Sequence, residues 1–169
     1  LDPYGNKELL RIINSNKISA LSLELLPRIS RAQSSDVLSS QANIAGYKAV
    51  LLAASELDRY FPMLMTAAGT VQPAKVVVLG GGVAGLQAVA TAKRLGALVT
   101  SFDIRKEVKE QVESLGSKFL SMPNLEDSQE ISGYAKELSS EKEKSTSDFL
   151  IPSLTDSDCI ISTAMIPGK

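Results

Sequence analysis

The sequence predicts an α/β fold in which a doubly wound parallel sheet carries helices on both faces, and three observations predict it. The run Lys75–Leu79 is apolar and β-branched without alternation, which is typical of a parallel strand buried on both faces. It breaks at three consecutive glycines and continues as a helix-forming segment, residues 83–95, ended by Gly96. A second apolar run, residues 97–102, stops at Asp103 and completes a strand–helix–strand unit.

Composition and charge exclude several classes of function. The 169 residues, 44% hydrophobic and 22% charged, are those of an ordinary globular protein, and a net charge of −1 gives no reason to expect a nucleic-acid partner. The absence of histidine and the presence of a single cysteine exclude histidine catalysis and make a structural zinc site unexpected. Cys159 lies in an apolar run, which predicts a buried thiol. No apolar run approaches the ~18 residues of a membrane span, so we expect no membrane insertion.

The region before the central strand predicts the tail of a preceding α/β domain, followed by a long helix. Residues 7–13 have apolar residues at helical spacing, and residues 18–26 alternate as a strand does. A polar loop leads into a helix of about residues 36–58, for which Ser35 or Asp36 is a natural N-cap.

Small residues fill the first half of that long helix, so we expect it to be packed on several sides. Residues 61–73 are interpreted as a short helix plus a turn that delivers the chain to the central strand.

After Asp103 the pattern predicts an amphipathic helix over residues 105–115 and a short strand over residues 118–121. The polar segment 123–148 is long for a connection in a compact domain and predicts a lid or a disordered segment. Within it Gly133 would act as a hinge and Tyr134 would close over a ligand; alternatively, Tyr134 merely anchors a surface helix.

A fourth strand is predicted over residues 158–162. The segment that follows it, 163–169, is expected at the carboxyl edge of the sheet, where ligands bind in such folds. We expect the sheet to be truncated, because the chain stops before the fifth and sixth strands of a full dinucleotide-binding sheet. Both ends look cut, and no signal or transit peptide is visible.

The glycines after the central strand fit the dinucleotide-binding spacing G-x-G-x-x-G, at Gly80, Gly82 and Gly85. In that Rossmann-like pattern the first glycine makes the tight turn, the second lets a pyrophosphate approach, and the third packs the helix on the strand. The N–H groups of Val83, Ala84 and Gly85 would then point at the phosphates.

Asp103, roughly 20 residues beyond the glycines, stands where a carboxylate accepts hydrogen bonds from an adenosine ribose. A carboxylate there would repel a 2′-phosphate, so NAD is favoured over NADP. The alternative without a ligand is a doubly wound domain whose glycine turn binds nothing.

Segments along nearly the whole chain resemble the NAD(H)-binding domain I of proton-translocating NAD(P) transhydrogenase: PRISRAQSSDVLSSQANIAGYKAV, FPMLMTAAGT, GGGVAGLQAVATAKRLGA, EQVESLGSKF, SGYAKE and STAMIPGK. The related alanine dehydrogenases share the fold and the glycine turn. They differ in the loop before the long helix, where the transhydrogenase pattern of Arg, Gln and Asp is present in this chain.

The resemblance implies roles for individual residues. In the loop before the long helix, Arg28 and Asp36 would position the nicotinamide, Gln33 would reach towards the partner's nucleotide, and Ser39 would bind the carboxamide. Gly133 and Tyr134 match a loop that folds over the bound nucleotide. The remaining matches are the nicotinamide-pocket segment 163–168, with Thr163, Ala164 and Met165, and the pyrophosphate and ribose contacts Val83, Asp103, Ile104 and Arg105.

The resemblance also implies a reaction and its partners. In that family, hydride passes directly between NADH on this domain and NADP⁺ on a separate domain III, coupled to proton movement through membrane domain II. The chain would therefore be a homodimeric soluble domain peripheral to a membrane of the inner, mitochondrial or organelle type. Its expected divisions are the end of a first subdomain with the nicotinamide loop (1–35), a connecting helix and linker (36–73) and an NAD(H)-binding Rossmann domain (74–169).

Two other functions stay open. One is an NAD-dependent amino-acid dehydrogenase of the alanine dehydrogenase kind, which would normally use a lysine and a histidine supplied by chain outside this sequence. The other is a non-catalytic NAD-binding module. The fragment alone is expected to bind NAD(H) without turnover.

Overall fold

The computed structural model of the chain describes residues 2–27, 29–122 and 140–164. The chain divides into two compact units, residues 1–42 and 43–169. Among the described residues, no helix has both the length and the apolar character that crossing a bilayer requires.

The first unit begins with helix α1, Lys7–Ser15, whose N-cap Asn6 accepts the Leu9 N–H at 3.1 Å. The predicted strand over residues 18–26 is wrong: this stretch contains a 3₁₀ helix, Leu23–Leu25, and Leu21 is 91% exposed. Alternating residues form a strand only where another strand pairs with them, and none of the described segments does so here.

Helix α2, Val37–Glu56, confirms the long helix expected over about residues 36–58. Its fully buried residues are Gly46 and Val50, whereas Ile44, Tyr47 and Leu52 are each about half exposed. The expectation that α2 packs on several sides is therefore wrong for the described chain, in which one face of the helix is buried.

The segment before the central strand is a hairpin of β1, Leu64–Thr66, and β2, Gly69–Val71, rather than the expected short helix plus turn. The turn explains the difference. The Thr66 hydroxyl accepts the Ala68 N–H at 3.2 Å and donates to the Gly69 carbonyl at 3.0 Å, while Gly69 has φ +132°. A glycine adopts that conformation readily, and a two-residue turn then directs the chain back antiparallel.

The second unit contains a four-stranded parallel sheet with the order β5-β4-β3-β6, which confirms the predicted fold class. Its strands are β3 (Lys75–Leu79), β4 (Leu98–Phe102), β5 (Lys118–Phe119) and β6 (Cys159–Ser162). The connecting helices are α3 (Val83–Arg94), α4 (Val108–Ser114) and α5 (Ser140–Thr155). Each predicted strand of this sheet is present, with ends shortened by up to two residues.

Two apolar clusters fill the faces of this sheet. On one face Val76 and Val78 of β3 pack against Ala88, Val89 and Ala92 of α3. On the other, Phe102 packs with Leu150 of α5. The thiol of Cys159 is only half-buried, and burial raises its pKa.

Two predicted segments differ from expectation in where their helices begin. Helix α4 begins three residues later than predicted, at Val108, because the Arg105 N–H is bonded to the side chain of Asp103 in a local turn. Some of the predicted lid or disordered segment, residues 140–148, belongs to α5. Gly133 and Tyr134 lie outside the described residues.

Candidate functional site

The turn after β3 requires glycine for two different reasons. Gly80 has φ +95°, in the left-handed region, and its N–H donates to the Phe102 carbonyl at 2.8 Å. A Cβ on Gly85 would overlap the Gly80 carbonyl oxygen and would lie 2.9 Å from the Thr163 hydroxyl. The first helical turn of α3 therefore lies directly against the end of β3, as the motif predicts.

At position 82, unlike at Gly80 and Gly85, the packing of the described chain does not require a glycine. The φ of Gly82, −73°, is accessible to any residue, and an added Cβ would meet no described heavy atom within 4 Å. It gives α3 no side-chain cap, and no other described side chain accepts the first N–H groups of the helix, at Val83, Ala84 and Gly85, so within the described part of the chain they can meet an external acceptor. The surface in front of α3 thus has an opening at Gly82, meaning open space that a side chain at this position would occupy.

Asp103 follows β4 and lies beside the glycine turn, where it is 8% exposed. Its Oδ2 accepts the Gly81 N–H at 2.6 Å and the Arg105 Nη2 at 2.9 Å. Its Oδ1 accepts the backbone N–H of Arg105 at 2.8 Å and the Arg105 Nε at 2.9 Å. One carboxylate therefore connects the glycine turn to the turn that precedes α4.

These contacts keep the Asp103 carboxylate charged. Burial alone would raise its pKa, but hydrogen bonds from Arg105 and Gly81, together with the Arg105 charge, outweigh burial and hold the pKa below its ordinary value. The same pairing raises the pKa of the Arg105 guanidinium. At neutral pH the site holds a carboxylate and a guanidinium in bidentate contact.

Thr163 brings the segment after β6 to the same turn. Its hydroxyl donates to the Gly80 carbonyl at 3.0 Å, and its N–H donates to the Leu79 carbonyl at 2.7 Å. Because β6 lies on the opposite side of β3 from β4, this contact marks the point where the strand order reverses. Ligands of open α/β sheets bind in the crevice at that point.

Helix α2 supports the first turn of α3 through a close contact at Gly46. A Cβ there would overlap the Ala84 carbonyl oxygen and lie 2.8 Å from its carbonyl carbon. Three residues earlier, the Asn43 amide donates to the Gln87 side chain at 3.0 Å, and four residues later Val50 is fully buried. This α2–α3 seam, defined by Asn43, Gly46 and Val50, fixes where the opening of α3 lies.

The loop of the first unit that carries the predicted nicotinamide contacts is described from Ile29 onwards. Residues Ser30–Ser35 form a 3₁₀ helix on which Gln33 is exposed. Asp36 accepts the Ser39 N–H at 3.0 Å and the Ser39 hydroxyl at 2.7 Å, so it caps α2. Asp36 and Ser39 are thus brought together by local structure alone.

The structure brings together the predicted contacts Gly80, Gly82, Gly85, Asp103 and Thr163 at one edge of the sheet. Val83, Ala84, Ile104, Arg105 and Ala164 flank them along the chain. Arg28 and Met165, like Gly133 and Tyr134, lie outside the described residues.

Sequence reasoning missed Gly81, whose N–H binds Asp103 and whose added Cβ would overlap Val108, and it missed Gly46. A usable signal for Gly81 was that it is the middle one of three consecutive glycines, at a position where the motif allows any residue. The only signal for Gly46 was a glycine in the middle of a long helix.

The fold and the site together define a Rossmann-like α/β unit with a dinucleotide-type glycine turn. Models of two protein families match consecutive stretches of the chain. The N-terminal domain of alanine dehydrogenase/PNT matches residues 1–45, and the C-terminal domain matches residues 49–169. The chain belongs to the alanine dehydrogenase/PNT family.

Individual proteins that are similar to this chain support the family assignment. The chain is 52% identical over its whole length to the first of the polypeptides that make up the NAD(P) transhydrogenase alpha subunit of Rhodospirillum rubrum, of which it covers 44%. It is 48% identical to NAD(P) transhydrogenase subunit alpha of Haemophilus influenzae, over 97% of this chain and 32% of that one. The chain therefore spans less than half the length of these relatives.

Solved structures give the same grouping. A transhydrogenase from Sinorhizobium meliloti superposes on the whole chain with a TM-score of 0.86 and 47% identity, over 44% of its own length. An L-alanine dehydrogenase superposes on 78% of the chain with a TM-score of 0.50 and 27% identity, over 32% of its own length. Both branches named in the family description thus have this fold.

Proposed function

We propose that the chain is the NAD(H)-binding component of an NAD(P) transhydrogenase. Sequence identity of 46–52% to transhydrogenase alpha subunits over nearly the whole chain supports this proposal. The single observation that carries it is the opening at Gly82, which lies just before the first turn of α3 and next to Gly81, whose N–H binds the Asp103 carboxylate.

The residues of this opening suit a dinucleotide. A pyrophosphate needs N–H donors, positive potential and close backbone approach, and the first turn of α3 offers all three where Gly82 leaves space. Asp103 offers a buried, ionised acceptor for an adenosine ribose. Val83, Ala84 and Gly85 would hold the pyrophosphate, while Asp103, Ile104 and Arg105 would form the ribose side of the site.

The nicotinamide end would be held by the loop before α2 and by the segment after β6. Asp36 and Arg28 would orient the ring, Ser39 would bind its carboxamide, and Gln33 would face the partner's nucleotide. Thr163 and Ala164 would also contact the nicotinamide, and the roles expected for Met165, Gly133 and Tyr134 fall on residues outside those that the structure describes. The domain limits 1–35, 36–73 and 74–169 follow from this division of roles.

Bound NADH supplies the hydride, so the chain has to bind, orient and exclude water rather than act as acid or base. A site without histidine is adequate for that task. Hydride would pass to NADP⁺ on a partner domain III, and membrane domain II would couple the reaction to proton movement. We infer a homodimer at the periphery of that membrane.

Reconstitution tests this function. The chain is titrated with NADH by calorimetry and is then mixed with a recombinant NADP(H)-binding domain III, NADH and thio-NADP⁺, whose reduced form absorbs at a wavelength distinct from that of NADH. We expect NADH binding by the chain alone and hydride transfer only after domain III is added. Asp103→Asn should impair both, whereas Asp156→Asn, which changes the same charge on the Lys75–Asp156 pair, should impair neither. Absence of NADH binding by the unaltered chain would refute the proposal.

An amino-acid dehydrogenase is the second candidate, because the L-alanine dehydrogenase structure shares the fold over most of the chain. Pyruvate, ammonia and NADH given to the full-length protein separate the two candidates. Oxidation of NADH in that mixture would favour the dehydrogenase, whereas oxidation that depends on an NADP⁺ analogue would favour the transhydrogenase.

A further inference from the structure

The Asp103 carboxylate already has a complete set of hydrogen-bond donors in the structure. A carboxylate offers about four lone-pair positions, two on each oxygen. Two are taken by backbone donors, the N–H groups of Gly81 and Arg105. The other two are taken by the Arg105 side chain, through Nε on Oδ1 and Nη2 on Oδ2.

The two kinds of donor have different consequences. The backbone donors belong to the glycine turn and to the turn before α4, so they stay in place as long as the fold does. The Arg105 donors are on a flexible side chain. If that side chain leaves, one acceptor position opens on each carboxylate oxygen, and the backbone donors still hold the carboxylate in its orientation.

A ribose presents two neighbouring hydroxyl groups, and a guanidinium edge presents two parallel N–H donors to a carboxylate. We propose that the Arg105 side chain occupies the place of the nucleotide's ribose diol and is displaced when the diol binds. This inference rests on the proposed nucleotide-binding function and gives Arg105 the role of an internal competitor. Its backbone N–H remains in the ribose site.

Burial makes this competition significant. The Arg105 and Asp103 side chains are 16% and 6% exposed, so solvent weakens their ion pair far less than it weakens a surface pair. The displaced guanidinium also has an alternative partner, since the charge of the exposed Glu107 acts on it even in the present arrangement. The affinity for NADH should therefore be lower than the site would give without the arginine side chain.

Calorimetric titration of the full chain with NADH tests the proposal in three variants. Arg105→Met removes both side-chain donors and keeps a long stem, Arg105→Lys keeps the charge but cannot bind both oxygens in parallel, and Arg94→Met removes an equivalent charge from an exposed position. We expect Arg105→Met to bind NADH about tenfold more tightly, or ~1.4 kcal/mol. Arg105→Lys should lie between it and the unaltered chain, and Arg94→Met should match the unaltered chain.

A second pair of ligands tests whether the diol itself is the competitor. ADP can replace both arginine donors, whereas 2′-deoxy-ADP has one hydroxyl fewer on that ribose. The tightening caused by Arg105→Met should therefore be larger for ADP than for 2′-deoxy-ADP. Unfolding followed by circular dichroism establishes that each variant is folded, and Arg105→Lys carries the test if the methionine variant is not.

Weaker or unchanged NADH binding in folded Arg105 variants would overturn the competition while leaving the proposed function intact. Equal tightening for ADP and 2′-deoxy-ADP would also overturn it, because the effect would then come from charge rather than from the diol. If the unaltered chain binds neither NADH nor ADP, the proposed function fails, and this inference fails with it.

Discussion

The contact between α2 and α3 at Gly46 predicts the effect of a single methyl group. In an ordinary helix interior, replacing glycine by alanine stabilises by ~1 kcal/mol. At Gly46 the new Cβ would overlap the Ala84 carbonyl oxygen and lie 2.8 Å from the carbonyl carbon and 3.0 Å from the Cα. These are backbone atoms of the first turn of α3, so no side-chain rotation relieves the overlap.

The cost of Gly46→Ala follows from this geometry. Ordinary van der Waals contact begins near 3.4 Å, so the helices have to separate by roughly 1 Å at this point. That shift would stretch the Asn43–Gln87 hydrogen bond, now 3.0 Å, beyond its range and loosen the packing of fully buried Val50. Overpacking of this kind costs about 1–3 kcal/mol. Because the overlapping atoms are backbone, we expect a cost in the upper part of that range, about 2–3 kcal/mol. Subtracting the ~1 kcal/mol gain in helix propensity leaves a net destabilisation of about 1–2 kcal/mol.

Guanidinium chloride unfolding followed by circular dichroism measures the change as a lower midpoint at similar slope. Ala45→Gly, at the neighbouring exposed position, measures the propensity difference without a helix contact and serves as the matched control. Because α3 borders the proposed nucleotide site, Gly46→Ala should also weaken NADH binding, whereas Ala45→Gly should not. A Gly46→Ala variant as stable as the unaltered chain, or more stable, would refute the argument.

Four further predictions concern side chains. Asp103→Ala should weaken NAD(H) binding about tenfold, as expected for a lost charge-assisted hydrogen bond, and an unchanged calorimetric dissociation constant would contradict this. The pKa of Asp103 is lowered in the folded chain, so its contribution to the free energy of unfolding should be present above the unfolded-state pKa of ~3.9. That contribution should be lost as the pH falls through the lower folded value. A denaturation series across this pH range, in the unaltered chain and in Asp103→Asn, measures the loss. Asp158→Ala should lower the free energy of unfolding by about 1 kcal/mol, and Asp158→Asn should lower it less. The reason is that the Asp158 side chain accepts the Lys75 N–H at 2.8 Å and pairs with Arg59 at 2.6 Å. Equal unfolding midpoints for Asp158→Ala and the unaltered chain would exclude this role. Gln33→Ala should slow hydride transfer to domain III and leave the unfolding midpoint unchanged, since Gln33 is exposed, and a shifted midpoint would point to a structural role instead.

The β3–α3–β4 unit could be predicted because its signals are local. A β-branched run, a glycine spacing and a following acid each restrict the backbone within a few residues of themselves. The hairpin at Leu64–Val71 was missed because its decisive interaction is a threonine hydroxyl bonded across a two-residue turn, which apolar periodicity does not reveal. The strand expected over residues 18–26 is wrong because an alternating pattern forms a strand only when another strand pairs with it, and none of the described segments does so.

The candidate site shows the same division. The positions of Gly80, Gly85 and Asp103 follow from spacing, and the structure places them together. The two hydrogen bonds from the Arg105 side chain to the Asp103 carboxylate could not be predicted, because they depend on the rotamer of a side chain two residues along the chain. The need for glycine at 46 could not be predicted either, because it depends on how closely two helices approach.

The placement of β3 between β4 and β6 also bears on the order of folding. Contacts between β3 and β4 join residues 23 positions apart, whereas those joining β3 to the start of β6 span 83 positions. Closing the longer loop costs about 1 kcal/mol more in chain entropy. We expect the β3–α3–β4 unit to form first and β6 to dock later, so that the glycine turn takes shape before Thr163 reaches it.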